Sequence, residues 1–241
     1  MQFTVRTMNP NDPNVAMVDI VAARLRMLGE KVVFVGGCAA ALLITAPAPP
    51  AIHATADVDV VVEVATLADY QRLKAQMADA GFQRDAREGA PIWRWRLGEA
   101  VLDLMPSERE ILGLANRWYP LAVRTAGRAA MPSGAEIHLI HAPVFVATKL
   151  HAFLDKGAGD DLMSHDLGDV LTVVDGREEL LAEFEGLDGE LTRFVGESLA
   201  RLIATPRFRN YLPGHLTGDD ASQARIPLVE ARLLRMAALA R

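Results

Sequence analysis

The spacing of apolar residues along the chain changes near residue 142. Before this point short apolar runs alternate with helical patterns, and after it apolar residues recur mainly at steps of three and four. Short apolar runs bounded by turn residues indicate buried strands, whereas steps of three and four indicate one face of a helix. The pattern predicts an α+β fold, with a small mixed sheet and flanking helices over 1–141 and a helical domain over 142–241.

In the first half, strands and helices alternate. Asp12-Pro13 and Thr66 are good helix starts, and Gly98 predicts a hairpin between two of the strands. The predicted strands cover 31–35, 57–64, 92–96, 99–104, a short run at Val123, and 137–140. The predicted helices cover 15–28, 38–44, 66–81 and 108–116.

The second half predicts helices alone. Pro143 suits the first turn of a helix, where a missing N–H group costs nothing. The predicted helices cover 144–156, 164–174, 177–185, 190–204 and 226–240.

Three apolar runs in the first half contain residues that apolar runs rarely carry. They are Val33-Phe34-Val35-Gly36-Gly37, Asp57-Val58-Asp59-Val60 and Val101-Leu102-Asp103-Leu104. Ionised carboxylates are costly to bury unless a cation neutralises them. Asp57 and Asp59 are two residues apart, so on a strand both point to the same face. With Asp103 they would form an oxygen-rich site suited to magnesium, and two such ions can clamp both oxygens of a nucleotidyl transfer.

A structural alternative for the acid pair stays open. Asp-x-Asp is a short pattern that arises often by chance. Either carboxylate can instead lie at a strand end, bound to backbone N–H groups or paired with an arginine.

The order of these motifs resembles the nucleotidyltransferase fold, the DNA polymerase β-like superfamily. The resemblance implies that Gly36 and Gly37 open a helix and hold the phosphates of a nucleotide, and that the three aspartates bind the metals. It also suggests Thr55 as a phosphate contact, although Thr55 can equally be a loop residue. Two features depart from the family: the long spacing between Gly37 and Asp57, and Gly37 itself, where many members have serine.

Two later segments resemble one branch of that superfamily, the AbiEii-type toxin nucleotidyltransferases, in which a Gly-Gly pair is frequent. Residues 147–156 resemble its Lys-Leu-x-Ala-x-x-x-Arg helix, with Lys156 in place of arginine. Residues 165–171 resemble its Lys-Asp-x-x-Asp helix, with His165 in place of lysine. The resemblance therefore spans about Val32 to Val174 as an order of motifs.

The branch resemblance implies roles for residues of the second half. Lys149 would neutralise the triphosphate and Lys156 would assist it, whereas a plain surface role for Lys149 is a snorkelling side chain at the edge of the core. Asp166 would orient Lys149 or act as a base on the acceptor, or else pair locally. On a helical wheel Asp166 lies at the border of the apolar side, and Asp169 points farther out, so Asp166 is the preferred candidate.

The activity implied is a magnesium-dependent nucleotidyltransferase that moves NMP from an NTP to an acceptor hydroxyl and releases pyrophosphate. Asp57 and Asp59 would hold both metals, and Asp103 would hold the one that activates the acceptor. The acceptor would be RNA such as tRNA, a protein side chain, or a small molecule. The branch further implies the toxin of a toxin–antitoxin pair, with an antitoxin protein as partner. The alternative is a catalytically inactive nucleotide-binding or protein-interaction module with the same fold.

Composition narrows these options only slightly. The formal net charge is −6, so the chain has no overall basic footprint for nucleic acid. Arginines cluster locally at Arg84, Arg87, Arg94 and Arg96, where a solvated face is the ordinary interpretation. A single cysteine excludes an intrachain disulfide, and neither a signal peptide nor a membrane span is recognisable, so we expect a cytoplasmic protein.

Overall fold

The computed structural model describes residues 8, 12–28, 31–47, 50, 54–113, 116–155, 163–187, 189–216 and 219–240. Its contacts divide the chain into two compact units. The first comprises Met1–Leu42 and Ala54–His141, and the second comprises Leu43–His53 and Ala142–Arg241. The segment Leu43–His53, which the sequence pattern places within 1–141, is thus grouped with the second unit.

The described part of the first unit contains a seven-stranded sheet. Its strands are β1 (Val32–Val35), β2 (Val58–Val62), β3 (Gln83–Arg84), β4 (Arg94–Leu97), β5 (Ala100–Pro106), β6 (Gly127–Ala130) and β7 (Glu136–Leu139). The order across the sheet is β3-β4-β5-β2-β1-β7-β6. Strand β2 is antiparallel to β1 and parallel to β5, and β1 is parallel to β7, so the sheet is mixed. The predicted α+β class is confirmed.

Helices accompany this sheet and make up most of the second unit. In the described residues they are α1 (Pro13–Leu25), α2 (Gly36–Leu43), α3 (Leu67–Asp79), α4 (Arg109–Leu112), α5 (Tyr119–Thr125), α6 (Ala142–Asp155), α7 (His165–Gly176), α8 (Leu180–Glu183), α9 (Gly189–Ala204), α10 (Phe208–His215), α11 (Asp220–Gln223) and α12 (Ile226–Ala237). Short 3-10 turns, Arg26–Leu28 and Ala238–Ala240, follow α1 and α12. None of the helices in the described ranges is long and apolar enough to cross a membrane.

Two predicted helix starts are confirmed by their capping contacts. The Asp12 carboxylate accepts hydrogen bonds from the N–H groups of Asn14 and Val15 at the start of α1. The Thr66 hydroxyl accepts from the N–H of Asp69, and the Asp69 carboxylate accepts from the N–H of Thr66, which completes a capping box for α3. Each contact satisfies a backbone donor that the first turn of a helix leaves without an internal partner.

The predicted strand at Val123 is wrong. Val123 lies in α5, which has Pro120 in its first turn, and its side chain is buried. A short apolar run looks the same in a buried strand and in a buried helical turn, so spacing alone could not separate them. Strand β6 follows directly and was not predicted, because Gly127–Ala130 carries little β-forming character.

One face of the central strands forms part of the core. Cross-strand neighbours on β2, β5 and β4 place Val58, Leu102 and Trp95 in one row and Val60 and Leu104 in the next. All five side chains are buried. Because side chains alternate along a strand, the residues between them point to the opposite face.

The second unit is built around helices and the segment that begins at Leu43. The carbonyl oxygen of Gly176, at the end of α7, accepts hydrogen bonds from the N–H groups of Thr45 and Ala46. The buried Arg177 donates to the carbonyl oxygen of Leu43 at 2.6 Å and to the Glu183 carboxylate. These bonds satisfy the N–H groups of Thr45 and Ala46 and the carbonyl oxygen of Leu43 inside the second unit.

Candidate functional site

The three predicted aspartates of the first unit lie at one place in the sheet. Asp59 on β2 is the register partner of Val35 on β1 and of Asp103 on β5. Asp103 is in turn the register partner of Arg94 on β4. Register partners on neighbouring strands point to the same face, so Asp59, Asp103 and Arg94 form one row of side chains. Asp57 precedes β2 by one residue and, two positions from Asp59, belongs to the same face.

Gly36 follows β1 directly, lies beside this row and begins α2. Its φ is 67°, a conformation that residues with a Cβ rarely adopt. A Cβ at this position would overlap the carboxylate of Asp59. The glycine is therefore required twice, for the backbone angle and for the space that the Asp59 carboxylate occupies.

Arg94 holds two of the three carboxylates together. Its Nε donates to Asp103 Oδ1 at 2.7 Å, and its Nη2 donates to Asp103 Oδ2 at 2.7 Å and to Asp57 Oδ2 at 2.8 Å. Because one Nη2 reaches both, those two carboxylate oxygens are no farther apart than the sum of these distances. The hydrogen bond with Asp103 raises the pKa of Arg94, and the nearby charges of Asp103, Asp57 and Asp59 act in the same direction.

The aspartates have the right donor atoms for a divalent metal, but their side chains are not arranged as a metal site. Carboxylate oxygens are the donors that magnesium prefers, and all three aspartates share one face. In the described residues, however, no group of three His, Cys, Asp or Glu side chains is arranged to hold a metal ion. The guanidinium of Arg94 provides the positive charge between Asp57 and Asp103 instead. The three aspartates therefore remain predicted metal ligands.

The arginine alternative that the sequence left open for Asp57 and Asp59 is thus realised for Asp57, and Asp103 has the same arginine partner. The interpretation of Arg94 as part of a solvated face is wrong, because only 25% of its side chain is exposed and it is bonded to both acids. The signal was present in the hairpin. A two-residue turn at Gly98 and Glu99 pairs Leu97 with Ala100, and counting back three pairs puts Arg94 opposite Asp103.

The charged row continues to the edge of the sheet. The N–H of Asp85, just after β3, donates to the carbonyl oxygen of Arg94 at 3.1 Å. The Asp85 carboxylate accepts from Arg87 Nε at 2.9 and 3.0 Å. The hydrogen bonds with the Arg87 side chain lower the pKa of Asp85 to about 2. The Asp85 carboxylate is therefore already bound by Arg87. Asp85 is a neighbour of the acid cluster, and the sequence did not predict it to be one.

Thr55 supports the backbone that carries Asp57. Its hydroxyl donates to the carbonyl oxygen of Asp57 at 3.1 Å, and its N–H donates to Asn14 Oδ1 at 2.9 Å. Asn14 is buried on α1 and so ties the loop before β2 to that helix. Its hydrogen bonds indicate that Thr55 helps to position Asp57. A contact between Thr55 and phosphate stays a prediction.

The remaining predicted nucleotide contacts are placed as follows. Gly37 is buried as the second residue of α2, directly after the turn at Gly36. Lys156 lies outside the described residues.

In the second unit, Lys149 is held by two carboxylates. Its Nζ lies 3.1 Å from Asp166 Oδ1 and 2.7 Å from Asp169 Oδ2. The expectation that Asp169 points outward is wrong, because one helical turn separates the two aspartates and both reach the same ammonium group. The side chains of Lys149, Asp166 and Asp169 are 13%, 12% and 14% exposed, so this cluster is largely buried. Asp166 contacts Lys149 and shares that contact with Asp169, and its role in orienting Lys149 stays a prediction.

Comparison with known proteins bears on the fold. No protein-family model matches the chain, and no curated protein matches it. The structure is similar to that of an antigenic nucleotidyltransferase-like protein from Paracoccidioides brasiliensis, with a TM-score of 0.51 and 19% sequence identity. The match covers 91% of this chain and 99% of that one. The chain therefore has a nucleotidyltransferase-like fold, and the narrower resemblance to the toxin branch receives no support from these comparisons.

Proposed function

We propose that the chain is a magnesium-dependent nucleotidyltransferase that transfers NMP from an NTP to an acceptor hydroxyl. The observation that carries the proposal is the juxtaposition of Asp59 and Asp103 in one cross-strand row beside the turn at Gly36. Asp57 lies within reach of the same point, since it shares Arg94 with Asp103. The nucleotidyltransferase-like fold supports it independently.

Each element of the row has a role in this proposal. Bound magnesium would neutralise charge on the phosphates and lower the pKa of the acceptor hydroxyl. Asp57 and Asp59 would hold the metals that carry the triphosphate, and Asp103 would hold the one beside the acceptor. Backbone N–H groups at Gly36 and Gly37 would approach the phosphates, because no side chain at Gly36 stands in the way.

Residues of the second unit are assigned to the phosphates by the sequence resemblance. Lys149 would neutralise the triphosphate, with Asp166 holding its ammonium group in place. Because Lys149 is also paired with Asp169, a phosphate would have to share or displace one of these two partners. Lys156 and Thr55 complete the proposed nucleotide contacts.

The acceptor and the biological role rest on resemblance alone. RNA such as tRNA, a protein side chain and a small molecule all remain candidate acceptors. If the chain is the toxin of a toxin–antitoxin pair, its induced expression should arrest growth in bacteria. Asp59→Asn should relieve the arrest, and the product of a neighbouring antitoxin gene should suppress it. Growth unaffected by the active protein would remove the toxin role and leave the transferase proposal intact.

A second candidate is a nucleotide-binding or interaction module without activity, and Arg94 is the observation that favours it. Three uncompensated carboxylates would argue against such a module, because burying them without use is costly. Here Arg94 compensates Asp57 and Asp103 without a metal, so that objection loses force.

Transfer of label from each α-labelled NTP tests the two candidates. The full chain is incubated with Mg²⁺ and either total RNA or cell lysate, and products are separated by size and by nuclease or protease treatment. We expect a labelled acceptor that is lost with Asp59→Asn and kept with Asp69→Asn, a control at the capping box of α3. Saturable NTP binding without any transfer would support the inactive module instead.

A further inference from the structure

Arg94 occupies the oxygens that a divalent metal would need. Both oxygens of Asp103 and one oxygen of Asp57 accept hydrogen bonds from its Nε and Nη2. A metal ion bound by the same oxygens would stand where these N–H groups now lie. Two cations this close repel each other strongly, so the guanidinium and the metal exclude one another.

The side chain of Arg94 can leave without disturbing the sheet. Its backbone is fixed by hydrogen bonds, since its N–H donates to the carbonyl oxygen of Pro91 and its carbonyl oxygen accepts from the N–H of Asp85. The side chain is already 25% exposed, so a change of rotamer would have only a short way to carry the charged head into water. Asp85 offers no strong alternative partner, because Arg87 already binds its carboxylate.

We propose that Arg94 is a built-in counterion of the acid cluster that competes with the divalent cation for Asp57 and Asp103. The inference rests on the proposed function, because it assumes that these aspartates take a metal. Without metal, Arg94 keeps the carboxylates from repelling one another. When the metal binds, the guanidinium is released. The protein binds the metal less tightly than the bare carboxylates would, because the ion pair with Arg94 must break first.

Binding of Mn²⁺ to the full chain tests this competition, measured by the loss of the signal of free Mn²⁺ in electron paramagnetic resonance. Arg94→Met removes the competing charge and keeps much of the apolar stem. We expect it to bind Mn²⁺ on the order of tenfold or more tightly than the unchanged protein, since a charge-assisted pair no longer has to break. Arg96→Met is the matched control, because Arg96 is on the same strand and face, but its contacts are with Gly98 and Glu99. It should bind as the unchanged protein does.

Three further variants keep the experiment decisive. Adding Asp103→Asn to Arg94→Met should abolish the gain, which ties the tighter binding to this cluster. If circular dichroism shows that Arg94→Met is unfolded, Arg94→Lys and Arg94→Gln take its place. Glutamine removes the charge, and lysine cannot bridge both aspartates with a rigid fork. Both variants should therefore still bind Mn²⁺ more tightly than the unchanged protein.

The outcomes separate this inference from the proposed function. Equal Mn²⁺ affinity with and without Arg94 would overturn the competition and leave the metal site standing. No Mn²⁺ binding in any variant would overturn both. Tighter binding in Arg94→Met together with an absence of nucleotidyl transfer in every assay would support the counterion and overturn the transferase.

Discussion

Arg94 and Asp103 face each other across the hairpin of β4 and β5, joined by two parallel hydrogen bonds of 2.7 Å. This is the bidentate geometry in which a guanidinium and a carboxylate interact most strongly. The Asp103 side chain is only 9% exposed, so water screens the pair less than it screens a surface ion pair. The register of the hairpin places the two side chains opposite each other, and their contact supplies positive charge to the acid cluster.

The strength of this pair can be measured with a double-mutant cycle of Arg94→Met and Asp103→Asn in urea unfolding. We expect a coupling free energy of about 1.5–3 kcal/mol, the range for hydrogen bonds to charged groups. The diagonal ion pair Arg128–Glu136 between β6 and β7 is the exposed control, because its side chains are 71% and 58% exposed. Its coupling should be about 0.2–1 kcal/mol. Equal coupling in the two cycles would mean that burial adds nothing to the Arg94 pair.

Replacement of Gly36 by alanine should destabilise the protein more than the same change at Gly134. Both glycines have positive φ, 67° and 83°, so both variants carry the backbone cost of about 1–2 kcal/mol for an L residue in that region. At Gly134 a Cβ meets nothing within 4 Å, whereas at Gly36 it overlaps Asp59. The difference between the two unfolding free energies measures the overlap. A difference of zero would show that the Asp59 carboxylate is not held against the turn.

Replacement of Lys149 by methionine should lower the free energy of unfolding. The same replacement would not do so if Lys149 were only a lysine at the edge of the core. Lys149→Met leaves Asp166 and Asp169 close together, largely buried and without their shared cation. We expect a loss of about 3 kcal/mol in the free energy of unfolding, near the lower end for removing one partner of a buried pair. Asp169→Asn in the same chain should restore part of it, because one like charge is removed. A neutral or stabilising Lys149→Met would return this lysine to a snorkelling role.

Alkaline pH should remove the contribution of Tyr70 to the stability of the folded protein. Its buried hydroxyl donates to the carbonyl oxygen of Leu104 at 2.9 Å, and burial raises its pKa from 10.0 to about 12. Below pH 10 the tyrosine is protonated in both folded and unfolded chains, and Tyr70→Phe should cost about 1 kcal/mol. As pH rises from 10 towards 12, ionisation favours the unfolded chain, so the advantage over Tyr70→Phe should shrink. Urea unfolding at intervals from pH 8 to 11 measures the difference, and a constant difference would contradict the assignment.

The elements with strong local signals could be predicted from the sequence. Asp12 and Thr66 mark the starts of α1 and α3, because a side-chain oxygen in front of a helix satisfies a backbone donor whatever the rest of the chain does. The row of Asp59 and Asp103 could be anticipated as well, since carboxylates inside apolar runs are costly without a partner. Val123 could not be placed correctly, because its environment depends on residues distant in sequence.

The partners of the acids were harder to predict than the acids themselves. The pairing of Arg94 with Asp103 follows from a hairpin register that one residue of slip would reverse. For Asp169, the helical wheel showed only that the residue lies away from the apolar side of its own helix. It could not show the Lys149 ammonium group, which comes from a different helix and is paired with Asp169. Charge pairs between elements depend on packing, and a single sequence shows only spacing within one element.

The chain enters the second unit early, leaves it, and returns after His141. During synthesis, Thr45 and Ala46 therefore emerge from the ribosome well before Gly176, whose carbonyl oxygen accepts their N–H groups. Arg177, which donates to the carbonyl oxygen of Leu43, is made later still. A nascent chain that ends at His141 can complete its sheet while this segment waits for its partners. Expressed separately, residues 1–141 would carry a piece of the second unit with open backbone donors, which residues 142–241 supplied in trans could satisfy.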